Sequence, residues 1–314
     1  MDILTRYDHG IYAIDSGLVM SQMNAVHLVV EEGRAALIDS ANNDSVPRVM
    51  AVLEHLGIAP EQVDYVIATH VHLDHAGGVG ALLSRLPQAK LVVHPRGARH
   101  MIDPSRLIAS TIEVYGAQTA AKMYGEILPV DPQRLIETQH GMALALSGRK
   151  LTFLDTPGHA RHHHCIVDGR SGHIFAGDTF GLSYRCWDRD GRCFVFPSTT
   201  PVQFDPPALH RSVDLLASYQ PEAIYVTHFS QVTEIPRLSA DLHRLIDAHA
   251  AVALAARGAA DRHQRLVAGV AEVARREAES QGWMLTGEAL MSQLKWDLEL
   301  NAQGLGAWLD APKR

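Results

Sequence analysis

The sequence predicts an α/β chain built as a layered sandwich, followed by an all-helical segment. Short apolar strands alternate with helices, but without the steady strand–helix–strand rhythm of a doubly wound sheet. The strand signal ends near Pro236, and the rest of the chain is helical in pattern. Four of the expected strands run straight into a residue able to hold a metal ion, which points to several strand ends converging on one edge of a sheet.

The chain has 314 residues and 46% apolar content, enough for one large α/β domain with an appendage. Its net charge of −7 argues against general affinity for nucleic acid, which needs a basic face. Cys165, Cys186 and Cys193 include no CxxC and are odd in number, so a disulfide framework is not expected and a reducing compartment is. The first residues lack the charged and apolar regions of a signal peptide, and no apolar run approaches the ~18 residues of a membrane span. A soluble cytoplasmic protein acting on a small molecule is the resulting expectation, with no nucleic-acid or membrane partner.

In order, Ile11 to Ile14, Ala25 to Val30 and Ala35 to Ile38 read as strands, and Val46 to Leu56 as a helix stopped by Gly57. Val63 to Thr69 is β-branched and apolar enough for a buried strand, and Lys90 to Val93 is another. Residues 104–128 carry apolar side chains at helical spacing, which predicts one or two inserted helices. These either pack or cover an active site, with Tyr115, Met123 or Tyr124 facing a pocket. Strands then return at Leu135 to Glu137, Met142 to Leu146, Leu151 to Leu154, Cys165 to Val167 and His173 to Ala176. A helix from Pro206 to Tyr219 leads to a late strand, Ala223 to Val226. Leu238, Leu242, Leu245, Ile246 and Val252 mark an amphipathic helix, and helices over Asp261 to Ser280 and from Thr286 through Leu300 complete the tail. The expected division is a catalytic domain over 1–235 and a helical extension over 236–314, with a role in packing, dimer formation or substrate contact.

The run Thr69-His70-Val71-His72-Leu73-Asp74-His75 is the most informative stretch. A chain with 19 histidines clusters some by chance. Four ligand-type residues in six positions, directly after an apolar strand, exceed that. In an extended segment residues two apart point the same way, so His70 and His72 can grip one ion. Asp74 and His75, past the bend, can hold another. Imidazole and carboxylate together suit zinc, iron or manganese. His159, Asp178 and His228 each follow a further strand. His159 joins His70 and His72 in the expected assignment, His228 joins Asp74 and His75, and Asp178 bridges both ions through its two oxygens. Two ions about 4 Å apart then share a hydroxide.

His70-Val71-His72-Leu73-Asp74-His75 followed by His159, Asp178 and His228 resembles the metallo-β-lactamase superfamily in its HxHxDH hydrolase form, as in glyoxalase II and its relatives. The resemblance covers roughly residues 10–235. It implies a four-layer αββα sandwich with a dinuclear metal site on one edge. It also implies that Asp39 supports the ligands from behind, and that His163, four residues after His159, does likewise. His162 is expected to be exposed, and His164 to open a strand.

The implied activity is hydrolysis of a small ester or thioester, with two divalent ions, zinc the first choice and iron or manganese the alternatives. One metal polarises the carbonyl, the other steadies the leaving group, and Asp74 orients the hydroxide while binding its ion. Neither Ser nor Cys sits in a nucleophile-elbow pattern. After Asp178 the run Phe180-Gly181-Leu182-Ser183-Tyr184-Arg185-Cys186-Trp187 departs from the glyoxalase II pattern that leads to glutathione, and Tyr184, Arg185 and Trp187 become pocket candidates. A lactonase demands the same attack on a carbonyl. An iron enzyme such as a persulfide dioxygenase, or an oxygen-binding diiron protein, uses the same ligands. A regulatory binding protein with a retained metal site is the non-enzymatic alternative. The lack of a secretion signal argues against a β-lactamase, and the acidic charge against an RNA-processing nuclease.

Overall fold

A computed structural model describes residues 1–311 and divides them into two compact units. One comprises Met1–Asp155, His162–Gly177 and Thr227–Ser230; the other comprises Thr156–Arg161, Asp178–Val226 and the chain from Gln231 on. The second unit therefore starts well before residue 236.

In the first unit the elements are β1 (Leu4–Arg6), β2 (Ile11–Asp15), β3 (Ala25–Glu31), β4 (Arg34–Ile38), α1 (Val46–His55), β5 (Val63–Ile67), α2 (Leu73–Ala76), α3 (Val79–Arg85), β6 (Lys90–Val93), α4 (Pro95–Ile102), α5 (Ser105–Tyr115), α6 (Ala117–Tyr124), β7 (Leu135–Glu137), β8 (Ala143–Leu146), β9 (Arg149–Asp155), β10 (His164–Asp168) and β11 (Ile174–Gly177). Strands β1 to β7 form one sheet in sequence order, antiparallel from β1 to β4 and parallel from β4 to β7. Strands β8 to β11 form an antiparallel meander. Flanking helices and the tail complete the αββα sandwich with a C-terminal helical extension that the sequence predicts. The short strand β1 escapes sequence reading because Leu4-Thr5-Arg6 has a single apolar residue.

The parallel strands β4 and β6 are apolar and buried after their first residue, as strands covered on both faces are. Val46, Val49, Val52 and Leu53 of α1 and Val79, Leu82 and Leu83 of α3 pack against Leu37, Val66 and Leu91. Burial of this kind stabilises by about 1.5–3 kcal/mol for each large side chain. Parallel strands end on the same side. The ends of β4 and β5 thus bring Asp39 and Thr69 side by side, and Thr69 leads into the His70–His75 run.

Arg149, at the start of β9, ties the meander to the other sheet. Its guanidinium forks onto the carboxylate of Asp168 on β10 at 2.7 and 2.6 Å and reaches the main-chain oxygen of His9 at 2.6 Å. Both members of the ion pair are fully buried.

In the second unit the elements are α7 (Pro206–Ser218), β12 (Ile224–Val226) with its neighbour β13 (Ser230–Val232), α8 (Ile235–Ala256), α9 (Arg262–Gln281), α10 (Gly287–Gln293) and α11 (Lys295–Asp310). The last expected helix is thus two. His210 on α7 and His243 on α8 meet at 2.6 Å through their Nδ1 atoms, while Asp247 and Asp214 each accept from the other ring nitrogen at 3.0 Å. On α11, Asn301 accepts the Thr199 N–H at 2.7 Å and donates to the Pro197 carbonyl at 3.1 Å.

Replacing Arg149 with Met should cost about 3–5 kcal/mol, because it leaves Asp168 buried without its counter-charge. Burial alone would raise the Asp168 carboxyl, but Arg149 and Ser171 outweigh it and hold that group below its usual range. A depressed folded-state value means the stabilisation is full above the ordinary carboxylate range and is lost as pH falls through the acid range. Urea unfolding of wild type and Arg149→Met at neutral and acid pH should therefore show a difference that narrows on acidification.

Candidate metal centre

Asp39 sits just past β4 in the left-handed region (φ 60°), fully buried. That conformation costs on the order of 1 kcal/mol for a non-glycine residue. What holds it is a convergence of donors. The Thr69 N–H donates to Asp39 Oδ1 at 2.8 Å, the Thr69 hydroxyl lies 2.9 and 3.0 Å from the two carboxylate oxygens, the Thr227 hydroxyl donates at 2.7 Å, and His75 Nδ1 lies at 2.9 Å.

These contacts determine where the ring protons are. A carboxylate oxygen accepts, so a neutral His75 carries its proton on Nδ1 and has its lone pair at Nε2. The Thr69 hydroxyl gives its proton to Asp39, so its oxygen accepts from His70 Nδ1 at 3.2 Å. His70 therefore also presents its Nε2 lone pair. A main-chain carbonyl does the same for His228, whose Nδ1 donates to the Met23 oxygen at 3.1 Å.

The lone pairs so exposed face one another. Asp74 Oδ2 lies 3.3 Å from His75 Nε2 and 3.4 Å from His228 Nε2. The three ligand atoms lie within 4.8 Å of one another. Three electron-pair donors turned on one point, with their other atoms committed behind them, fit a divalent cation. Beside them His70 Nε2 lies 2.9 Å from His72 Nδ1, with the rings at 81°. His70 and His75 are adjacent, ring centroids 4.0 Å apart.

In the second unit the pattern repeats on a smaller scale. Buried His159 donates from Nδ1 to the Ser198 carbonyl at 3.0 Å, so its Nε2 is the acceptor. Asp178 Oδ2 lies 3.5 Å from that nitrogen and accepts from the Ser198 hydroxyl at 3.2 Å. The structure thus gathers His70, His72, Asp74, His75 and His228 in the first unit, and His159 with Asp178 in the second.

His163 is fully buried with its ring 5.0 Å from that of His70. A Cβ on Gly177 would come within 2.6 Å of His163 Nε2 and 2.7 Å of the Thr69 hydroxyl, so only glycine allows this packing. His162 is not exposed as expected. Its Nδ1 faces the Val71 N–H at 3.4 Å and its ring lies against His72 at 5.5 Å, which buries it.

The inserted helices α5 and α6 bring Tyr124 and Ile127 against Leu73, inside the motif itself, with Tyr115 and Met123 packed on them. Asn42 and Asn43 pin this arrangement by donating to the carbonyls of Met123 and Tyr124 at 2.6 and 3.2 Å. Burial, then Tyr115 and Asp74, pushes the Tyr124 phenol well above its usual range, so it stays protonated. Tyr184 and Trp187 are placed otherwise than expected. Trp187 is buried, stacks on Trp283 at 4.5 Å and donates to Gln293 at 3.0 Å. Tyr184 is buried and reaches Asp297 at 3.3 Å, and Arg185 donates to the Ser183 and Gln231 carbonyls. Tyr184 and Trp187 are thus committed to the helical tail, and Arg185 to Ser183 and Gln231. Among the described residues Cys165, Cys186 and Cys193 form no disulfide.

Sequence reading misses Asn24, the Met23 carbonyl, Thr69, Thr227 and Ser198. Thr69-His70 and Thr227-His228 do repeat one dipeptide at two strand ends, a legible sign that the hydroxyls share a task.

The chain belongs to the metallo-β-lactamase superfamily, whose family model matches residues 22–228. It is 24% identical over 202 residues to the metallo-beta-lactamase fold-containing protein ST1585 of Sulfurisphaera tokodaii, covering 62% of this chain and 68% of that one. It is 29% identical over 178 residues to a hydroxyacylglutathione hydrolase of Xanthomonas euvesicatoria pv. vesicatoria, covering 57% of this chain and 51%, about half, of that enzyme. The crystal structure of ST1585, from Sulfolobus tokodaii, superposes with a TM-score of 0.65 at 21% identity, over 96% of this chain and 99% of that one, and so shares the fold. Among the described residues no helix is long and apolar enough to cross a membrane.

Asp39→Ala should weaken divalent-metal binding by about 10–100-fold, since it removes the group that orients both His70 and His75. Competition titration against a fluorescent chelator measures this directly, and unchanged affinity would show the hub to be dispensable.

Proposed function

We propose that this chain is a metal-dependent hydrolase of a small ester or thioester, holding two divalent ions. His70, His72 and His159 would bind one, Asp74, His75 and His228 the other, and Asp178 would bridge them. The observation that carries the reading is the meeting of ligand atoms from Asp74, His75 and His228 within 4.8 Å of one another, with each imidazole's Nδ1 bonded to Asp39 or to the Met23 carbonyl. All seven residues fall within the stretch that matches the superfamily model.

Divalent ions in such a site bring the pKa of water toward neutrality and polarise a carbonyl. The protein's part is to aim and to hold. Asp39 and the Met23 carbonyl keep the imidazoles turned to the ions, and Asp74 supplies negative charge that offsets cationic charge. Similarity to hydroxyacylglutathione hydrolases supports a carbonyl electrophile. The burial of Tyr184 and Trp187 beneath the helical tail, together with the departure from the glyoxalase II pattern after Asp178, favours a substrate other than a glutathione thioester. Cysteines left outside any disulfide suit a reducing, cytoplasmic setting.

Protein purified without added metal should carry close to two ions per chain by elemental mass spectrometry and hydrolyse a member of a thioester, ester and lactone panel. Chelation should abolish turnover and metal should restore it, and Asp178→Ala should lose most metal and nearly all activity. Full metal loading without turnover on any panel member would favour a regulatory binding role. Bound iron with a visible absorption band would favour an oxygen-handling enzyme.

A further inference from the structure

The three ligands of the Asp74 group are each held from outside by a different atom. Asp39 holds His75. The other two are held by one corner at the entry to β3. Met23 accepts the His228 Nδ1 proton at 3.1 Å. The neighbouring Asn24, fully buried, donates from Nδ2 to the Asp74 main-chain oxygen at 2.9 Å and faces Asp74 Oδ2 at 3.5 Å. The same corner is stitched to the ligand-bearing segment through the backbone, since the Ala25 N–H donates to the Thr227 carbonyl at 2.8 Å. His70 takes its support from Thr69 and, through it, Asp39. The two groups of ligands therefore have partly separate supports.

We propose that Asn24 is a positioning residue specific to the ion held by Asp74, His75 and His228, and that it sets the affinity for that ion independently of the ion held by His70 and His72. This rests on the two-ion reading above. An amide suits the task. It donates to a carboxylate without adding charge, and it grips both the backbone and the side chain of Asp74, so the carboxylate is kept where His75 and His228 point. Groups that orient a ligand in this way are commonly worth one to two orders of magnitude in metal affinity.

Stepwise metal titration of wild type, Asn24→Ala and the isosteric Asn24→Asp tests this, with each ion's dissociation constant read by chelator competition. In both variants one ion should weaken by about 10–100-fold while the other keeps its wild-type affinity. The Asp variant preserves the side chain's shape, so it separates loss of the donated hydrogen bond from loss of packing. Equal weakening of both ions, or no weakening of either, would overturn the assignment while leaving the two-ion reading intact. A wild-type protein that takes up no second ion would instead defeat that reading, and this inference with it.

Discussion

The Asp39 carboxylate is the point on which the rest of the first unit's chemistry turns. It is buried, it sits where β4 ends, and it accepts from Thr69, His75 and Thr227 at once. Burying a charge is costly unless its lone pairs are filled, and here they are filled by groups that either are, or immediately precede, a candidate ligand. The condition that stabilises Asp39 therefore also decides the tautomers of His70 and His75. Fold stability and ligand geometry share one set of hydrogen bonds. The left-handed backbone at Asp39 is a local cost borne for that convergence.

The donor chemistry follows from this. A neutral imidazole whose distal nitrogen gives its proton to a carboxylate or carbonyl accepts at the other. His75, His228 and His159 each meet that condition through different partners: a carboxylate, the Met23 oxygen and the Ser198 oxygen. Side chains arranged for mutual hydrogen bonding would alternate donors and acceptors. In their neutral forms His75 and His228 turn acceptor nitrogens toward the Asp74 carboxylate oxygen, which is an arrangement a cation completes.

Much of this is legible in the amino-acid sequence. The His70–His75 run, the strand leading into it, and the later residues at strand ends follow from periodicity and ligand chemistry. Asp39 and His163 come from family resemblance rather than from their own surroundings. Asn24 and Met23 are not legible at all, because nothing local distinguishes them. Their role depends on the β2–β3 loop returning beside residues 74 and 228, a long-range contact that one sequence does not express. His162 shows the same limit. A polar residue between a ligand and a strand reads as exposed, and only packing against Val71 and His72 buries it. Tyr184 and Trp187 look like pocket residues because they lie close in sequence to Asp178. Trp283 and Asp297, about a hundred positions later, claim them for the tail.

The most direct test is anomalous X-ray scattering from crystals of metal-replete protein, recorded at the absorption edge of the bound element. The account predicts a peak at coordination distance, about 2.0–2.2 Å, from Asp74 Oδ2, His75 Nε2 and His228 Nε2, with Asp39 still on His75 Nδ1, and a second peak at His70 Nε2 and His72 Nδ1. Metal bound elsewhere with these nitrogens bare, or His75 turned so that Nδ1 meets the ion, would contradict it.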